Sequence, residues 1–408
     1  MMRTSTAQKA LLLLFIMTVG LGIYLWRAEP REEWVLKRAA LWVPRFDYQT
    51  PADIRQIMQH AANTGFTDIF FQVRGNGTVF YNSNREPWAH DLHGGHLEKL
   101  GVDPGWDPLQ VAIEEARKQA LQLHAYINVL PGWKGRQLPP SGRGQPWTDH
   151  RDWFMVDALG DVMQPTAGWY TFLNPAHPAV IEHLVGIVEE LLRYDVDGIH
   201  LDYIRYPYDY YLVADELYGD LDANALKQRS DFSFDRFTTA LQSANQNTSN
   251  EERRRKELKC EIISRLVARL AQQMEQDKPR AILSASVLGN PVDGRMHAGQ
   301  KPARWLASHG LDWAVQMNYS DALFSTHAVA FRKELSRQDR DEGWMMGISA
   351  EHDNRLFKRQ LQRLPELDCH SVAIFSYGLL YEGHQATRKS RILHNFLSHH
   401  LEQKAYRH

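Results

Sequence analysis

The strongest constraint on this chain is an alternation. Eight times, a short apolar or period-two run is followed by a helical pattern. Strand signals fall at residues 37–45, 66–77, 122–130, 196–204, 281–289, 311–319, 343–351 and 371–380. Helical signals follow them at 50–65, 107–121, 177–194, 251–277, 302–309, 326–338, 353–363 and 385–400. The first helix is bounded by local chemistry: Thr50 offers an N-cap, Pro51 suits the first helical position and Gly65 ends it. Alternating βα units imply a parallel sheet. Eight of them predict an α/β fold, a (β/α)8 TIM barrel over residues 36–400 with expanded loops after strands 2, 3 and 4. A doubly wound open sheet competes, but it wants a Gly-rich turn after the first strand, and VPRFDYQTP is not one.

The barrel is best read from residues 195–207, DVDGIHLDYIRYP. Alternation puts Gly198, His200 and Asp202 on one face of the strand and Ile199, Leu201 and Tyr203 on the other. The aliphatic face suits packing under helices, and the small or polar face looks into the barrel. Asp202 then stands near the strand's carboxyl end, where barrel enzymes keep their chemistry.

A formal net charge of −2 leaves no basic footprint for nucleic acid. Trp88, Trp106, Trp133, Trp147, Trp153 and Trp169 crowd one fifth of the chain. Either they are aromatic platforms for sugar rings or they pin down long loops. The uncharged apolar run from Ala10 to Trp26, preceded by Arg3 and Lys9, reads as an N-terminal signal anchor or signal peptide within residues 1–30. The charge bias favours an uncleaved membrane anchor with the body of the protein outside the cytoplasm, in the periplasm or at the exterior. Cys260 and Cys369 make no disulfide framework and are expected free and buried. His90, His93 and His96 match no strong metal signature, so neither a metal nor a cofactor is expected.

If the strands converge on one mouth, nearly every one ends polar. Amide, guanidinium, phenol and carboxylate groups are the usual kit for hydroxyl-rich ligands. The expected substrate-binding set is Trp42, Arg74, Asn128, Trp133, His200, Tyr203, Arg205, Gln316, Asn318, Tyr319 and Tyr377. Glycoside hydrolysis needs two carboxyl groups across the scissile bond. Asp202 is the first candidate, as nucleophile or base. Asp321, in QMNYSDA, and Glu351, in GISAEHD, compete to be the general acid.

The segments RAALWVPR, FFQVRGNGTVFYNSNREPW, AYINVLPGW, QMNYSD and IFSYGLL, and above all the block from Leu173 to Pro207, carry a resemblance to the glycosyl-hydrolase-like 10 proteins. These are bacterial envelope or secreted barrels distantly similar to the α-amylase clan, and the likeness spans roughly residues 37–383. It implies a barrel, a polysaccharide substrate and, in some members, cleavage of peptidoglycan glycan strands. By resemblance, Asp202 matches the family's fourth-strand acid, Arg74 its QVR arginine, and Asp321 an acid after the sixth strand in a subset of members. Two departures count. The fifth strand, ILSASVLGN, carries no carboxylate where the amylase clan places its general acid, and Tyr203 stands where many members have a second Asp. The expectation is a glycoside hydrolase of the cell envelope. The alternative is a glycan-binding or scaffolding barrel without catalysis, and a metal-dependent deacetylase using the loop histidines is a third option.

Overall fold

The computed structural model describes residues 34–208, 234–243 and 251–402, with single residues at 219, 222, 225, 228, 229, 231 and 232. The chain divides into two units, residues 1–35 and 36–408. The apolar run at residues 10–26, and with it the anchor or signal expectation, lies outside the described residues. Among the described residues, no helix is long and apolar enough to cross a membrane.

The second unit is a closed barrel of eight parallel strands. We number them β1 (Arg38–Val43), β2 (Asp68–Arg74), β3 (Gln122–Asn128), β4 (Gly198–Asp202), β5 (Ile282–Leu288), β6 (Trp313–Met317), β7 (Trp344–Ser349) and β8 (Ser371–Phe375). Each strand pairs with the next, and β8 closes onto β1 through Arg38↔Ser371 to Leu41↔Ile374. Eight helices return the chain: α1 (Pro51–Thr64), α2 (Pro108–Lys118), α3 (Pro178–Leu192), α4 (Glu251–Asp277), α5 (Pro302–Ala307), α6 (Phe324–Glu334), α7 (Asn354–Leu367) and α8 (Arg388–His400). The α1 signals are all used: the Thr50 side chain accepts from the Asp53 amide, Asp53 answers the Thr50 amide, Pro51 opens the helix and Gly65 caps it in the left-handed region. The expanded loop after β3 carries a small antiparallel pair, Pro131–Lys134 against Tyr170–Phe172.

Parallel strands covered on both faces should be buried throughout, and every residue of β2 is. Ala40, Trp42, Phe70, Tyr126, Trp313, Val315, Met345 and Ala373 pack together as the barrel's interior. The floor is polar but satisfied. Asp68 accepts from Arg38 at 3.1 Å and from Thr67 at 2.6 Å, and lies 3.0 Å from His124 Nε2. Gly198 is forced by this floor, because a Cβ there would lie 2.3 Å from His124 Nδ1 and 2.5 Å from the Ile282 carbonyl.

The sixth strand differs from its expected facing. Trp313 and Val315 turn inward, so Gln316 points out under α6, where its Nε2 donates to the Gly289 carbonyl at 2.7 Å and to the His327 carbonyl at 3.2 Å. Its Oε1 accepts from Trp344 Nε1 at 3.0 Å. A one-residue change of parity exchanges the faces of a strand: in LDWAVQMNY the polar Asp312, Gln316 and Asn318 share one parity and Leu311, Trp313, Val315 and Met317 the other, and here the apolar set takes the interior.

Candidate active site at the barrel mouth

A pocket of about 790 Å³ opens where the carboxyl ends of the strands converge. Asp202, the last residue of β4, is buried in its wall. Three donors hold its carboxylate: Tyr126 Oη at 2.9 Å on Oδ2, with the Tyr203 amide at 2.7 Å and Arg205 Nη1 at 3.4 Å on Oδ1. Burial, and after it the charge of Asp202, pushes the Tyr126 phenol well above its ordinary pKa, so it stays a donor. Burial raises Tyr319, also on the wall, in the same direction.

Tyr203 breaks the strand's alternation. It adopts φ 51°, a left-handed conformation uncommon for an aromatic residue, immediately after β4 ends. That turn brings Tyr203 onto the same pocket wall as Asp202 instead of the opposite face of the strand. The ring lies 5.4 Å from Tyr170 and 6.1 Å from Phe172, and the Arg205 guanidinium covers it at 4.2 Å.

Below Asp202, His200 seals the well. Its ring stacks on Phe70 at 3.9 Å and 7°. Trp42 Nε1 donates to His200 Nε2 at 3.0 Å, so the ring proton sits on Nδ1 and is given to Ser284 Oγ at 2.9 Å. Ser284 Oγ in turn reaches the Ile199 carbonyl at 3.5 Å. Burial, reinforced by nearby His124, holds the His200 pKa well below its usual value. His200 therefore works as a neutral, positioned partner beneath the pocket.

The structure brings together on the pocket wall Asp202, Trp42, Asn128, Tyr203, Arg205, Asn318, Tyr319 and Glu351. Glu351 is at the exposed rim, its amide donating to Ser349 Oγ at 3.1 Å. The remaining candidates stand elsewhere. Asp321 is exposed and does not line the pocket. Arg74 is fully buried behind the wall, where Nε and Nη2 donate to Glu86 at 2.8 and 2.6 Å and Nη1 reaches the carbonyls of Asn128, Val129 and Pro131. Trp133 is buried in the loop hairpin and donates to the Gln137 carbonyl at 3.0 Å. Tyr377 lies between two histidines, 3.0 Å from His60 Nδ1 and 2.8 Å from His384 Nδ1. Among the described residues, none of the six crowded tryptophans lines this pocket. Trp147 is buried under the Arg151 guanidinium at 3.3 Å, and Trp153 stacks on His150 at 4.0 Å, so these two pin loops. Cys260 and Cys369 are free and buried. No group of three or more metal-ligating side chains occurs among the described residues.

Of the wall residues that the sequence did not point to, three bear on the chemistry. Tyr170 comes from the loop hairpin, which showed no sustained period. Asp293 lies just beyond β5, so a carboxylate does reach the pocket from that sector. Asp47 lies four residues past the end of β1. Its signal was its place in VPRFDYQTP, between a strand end and a helix cap, where a barrel turns toward its mouth.

Fold and site together define a (β/α)8-barrel protein whose mouth carries carboxylates among aromatic rings. The family model for glycosyl hydrolase-like 10 matches residues 37–338, and the chain belongs to that family. Over 156 residues it is 34% identical to glycosyl hydrolase DigH of Escherichia coli strain K12, covering 36% of this chain and 32% of the relative. Glycosyl hydrolase YngK of Bacillus subtilis strain 168 is 29% identical over 155 residues, 38% of this chain and 28% of the relative. The matches thus span about a third of those curated relatives. Among solved structures, the catalytic domain of β-amylase from Paenibacillus polymyxa aligns with a TM-score of 0.55 at 11% identity, covering 89% of this chain and 98% of that one. A β-galactosidase from Bacillus circulans sp. alkalophilus aligns with a TM-score of 0.56 at 14% identity, covering 90% and 56%. At such identities the likeness is one of fold.

Proposed function

We propose that this protein hydrolyses glycosidic bonds in a cell-envelope polysaccharide, with peptidoglycan glycan strands the leading substrate, and that Asp202 acts at the anomeric carbon. The observation that carries this reading is a buried carboxylate at a barrel strand's carboxyl end, held by three donors in a pocket also lined by Trp42, Tyr170, Tyr203 and Tyr319. Sugar rings present CH faces to aromatic walls and hydroxyls to amides and carboxylates, and this pocket offers both. The names of the curated relatives support the reaction class. The apolar run behind Arg3 and Lys9 supports delivery to the envelope.

The test incubates the protein with purified peptidoglycan, with and without stem peptides, and with neutral and amino-sugar glycans, following new reducing ends. Asp202→Asn is expected to lower turnover by at least about 10³-fold, some 4 kcal/mol of activation barrier, while the thermal midpoint is kept. The anomer first released tells whether Asp202 attacks carbon or activates water. Retained glycan pull-down with no cleavage of any substrate by the wild type sinks the hydrolase and leaves a binding barrel.

A further inference from the structure

The hydrolytic reading names a carboxylate for the sugar carbon and leaves the leaving oxygen without a proton donor. Resting on that reading, we propose that Asp47, which lines the same pocket as Asp202 from the loop after β1, is the proton donor.

Four carboxylates line the pocket: Asp47, Asp202, Asp293 and Glu351. Asp293 and Glu351 are exposed, whereas Asp47 is half-buried. Around the closed barrel β1 and β4 stand three strands apart, so Asp47 and Asp202 reach the pocket from different arcs of its rim. The turn that carries Asp47 is fixed by its amide donating to the Pro44 carbonyl at 2.9 Å. Its Oδ2 accepts from the Gly378 amide at 3.1 Å. Close approach to Gly378 needs that residue's missing side chain, since a Cβ there would lie 2.6 Å from Asp47 Oδ1.

The ionisable groups around Asp47 come from three segments. Arg45 and Tyr48 flank it on its own loop, Tyr377 and His384 face it from the segment after β8, and Asp53 of α1 pairs with His384 at 3.3 Å. Burial raises its carboxyl to about 6, against the opposing pull of the Gly378 amide and of His384. A donor must hold its proton near working pH and be able to release it, and a carboxyl in that range does both.

The step balances as follows. As the C1–O bond breaks, its electron pair stays on the leaving oxygen, which takes the Asp47 proton. If Asp202 itself bonds C1, water then displaces it, breaking the C1–Asp202 bond and giving its proton to the Asp47 carboxylate; if Asp202 instead deprotonates the attacking water, that proton is passed through solvent to Asp47. Either way one water is consumed, giving a hydroxyl at C1 and a hydrogen on the leaving oxygen, and both carboxyl groups return to their starting state.

The experiment compares the full chain with Asp47→Asn, Glu351→Gln and Gly378→Ala on the cleaved glycan and on an aryl glycoside whose phenolate leaves without protonation. Asp47→Asn should lower kcat/KM on the glycan by about 10²–10⁴-fold and the aryl glycoside by less than about tenfold. It should also abolish an alkaline limb near pH 6. Gly378→Ala, which displaces the carboxyl without removing it, should lose glycan cleavage in the same sense. A titration of the Asp47 carboxyl by ¹³C NMR, with Asp47→Asn assigning the signal, should give a midpoint near 6. A midpoint at an ordinary aspartate value overturns the proposal whatever the kinetics. Full glycan activity in Asp47→Asn, or the leaving-group signature in Glu351→Gln instead, overturns it and leaves the hydrolase standing. Absence of any cleavage by the wild type overturns hydrolase and donor together.

Discussion

Tyr126 Oη and Arg205 Nη1 meet on the two oxygens of one carboxylate, so each fixes a different edge of Asp202. Tyr126→Phe keeps the ring in the barrel interior and removes only the donor to Oδ2. Loss of a hydrogen bond to a charged group is worth about 1.5–3 kcal/mol. A fall in kcat of roughly tenfold or more is therefore expected, with KM nearly unchanged, measurable by steady-state rates on whichever glycan is cleaved. An equal activity in Tyr126→Phe would mean that the phenol only fills space. Asp202 was visible in the sequence because the alternation Gly198, His200, Asp202 needs no tertiary information. Tyr203 was placed on the wrong face for the complementary reason: one residue at φ 51° cancels the alternation, and no local signal announces it. Asp47 was invisible as a titrating group because its displacement comes from burial against Gly378, a neighbour 331 positions away.

At the scale of elements, Arg74 ties the end of β2 to the loop that follows it and to the end of β3. Glu86 receives both Arg74 and, at 2.9 Å, His183 of α3. Burial opposes the charge of Glu86, yet Arg74 and the His183 hydrogen bond hold its carboxyl down at about 2. A folded-state value below the unfolded one means stability that is fully present above about pH 4.5 and is lost as pH falls toward 2. Arg74→Met strands Glu86 in the interior and should cost about 3–5 kcal/mol, whereas Arg74→Met with Glu86→Met should recover much of that. Thermal unfolding of the three proteins at pH 7 checks it. A single mutant as stable as the wild type would show that water reaches Glu86. The sequence announced the first helix through its cap and breakers, Thr50, Pro51 and Gly65. It did not announce what holds the long loops, since Glu86 of the loop after β2 finds His183, and Glu190 finds Tyr81, Ser83 and Asn84, only once α3 packs against that loop. Glu190 in fact takes Tyr81 Oη at 3.3 Å, Ser83 Oγ at 2.5 Å and the Asn84 amide at 3.0 Å.

For the whole molecule, buried groups of opposite character shape the dependence of stability on pH. His200 has its pKa depressed by burial, so its contribution is present above the unfolded value near 6.5 and fades as pH falls below it. Asp47, raised to about 6, acts the other way: its contribution is full below about 3.8 and lost as pH rises through 6. Asp47→Asn should therefore add about 1 kcal/mol of stability at pH 8 after allowing for solvent screening, read as a higher thermal midpoint. The same variant should gain nothing at pH 4. Melting curves at the two pH values check the sign, and a midpoint that falls at pH 8 refutes it. The closed barrel was legible because eight βα units with no Gly-rich first turn leave few topologies. The content of its mouth was less so, because strand parity and loop reach decide it jointly. Gln316 was lost to one and Asp293 gained by the other.

The aromatic plug of Phe70, Trp42 and His200 has a consequence for traffic. A barrel stoppered at that depth has a single door, so no polymer can be threaded through it. A chain must either offer an end to the opening or kink one of its units down toward Asp202, and both fragments of any cut leave by the way the strand came in.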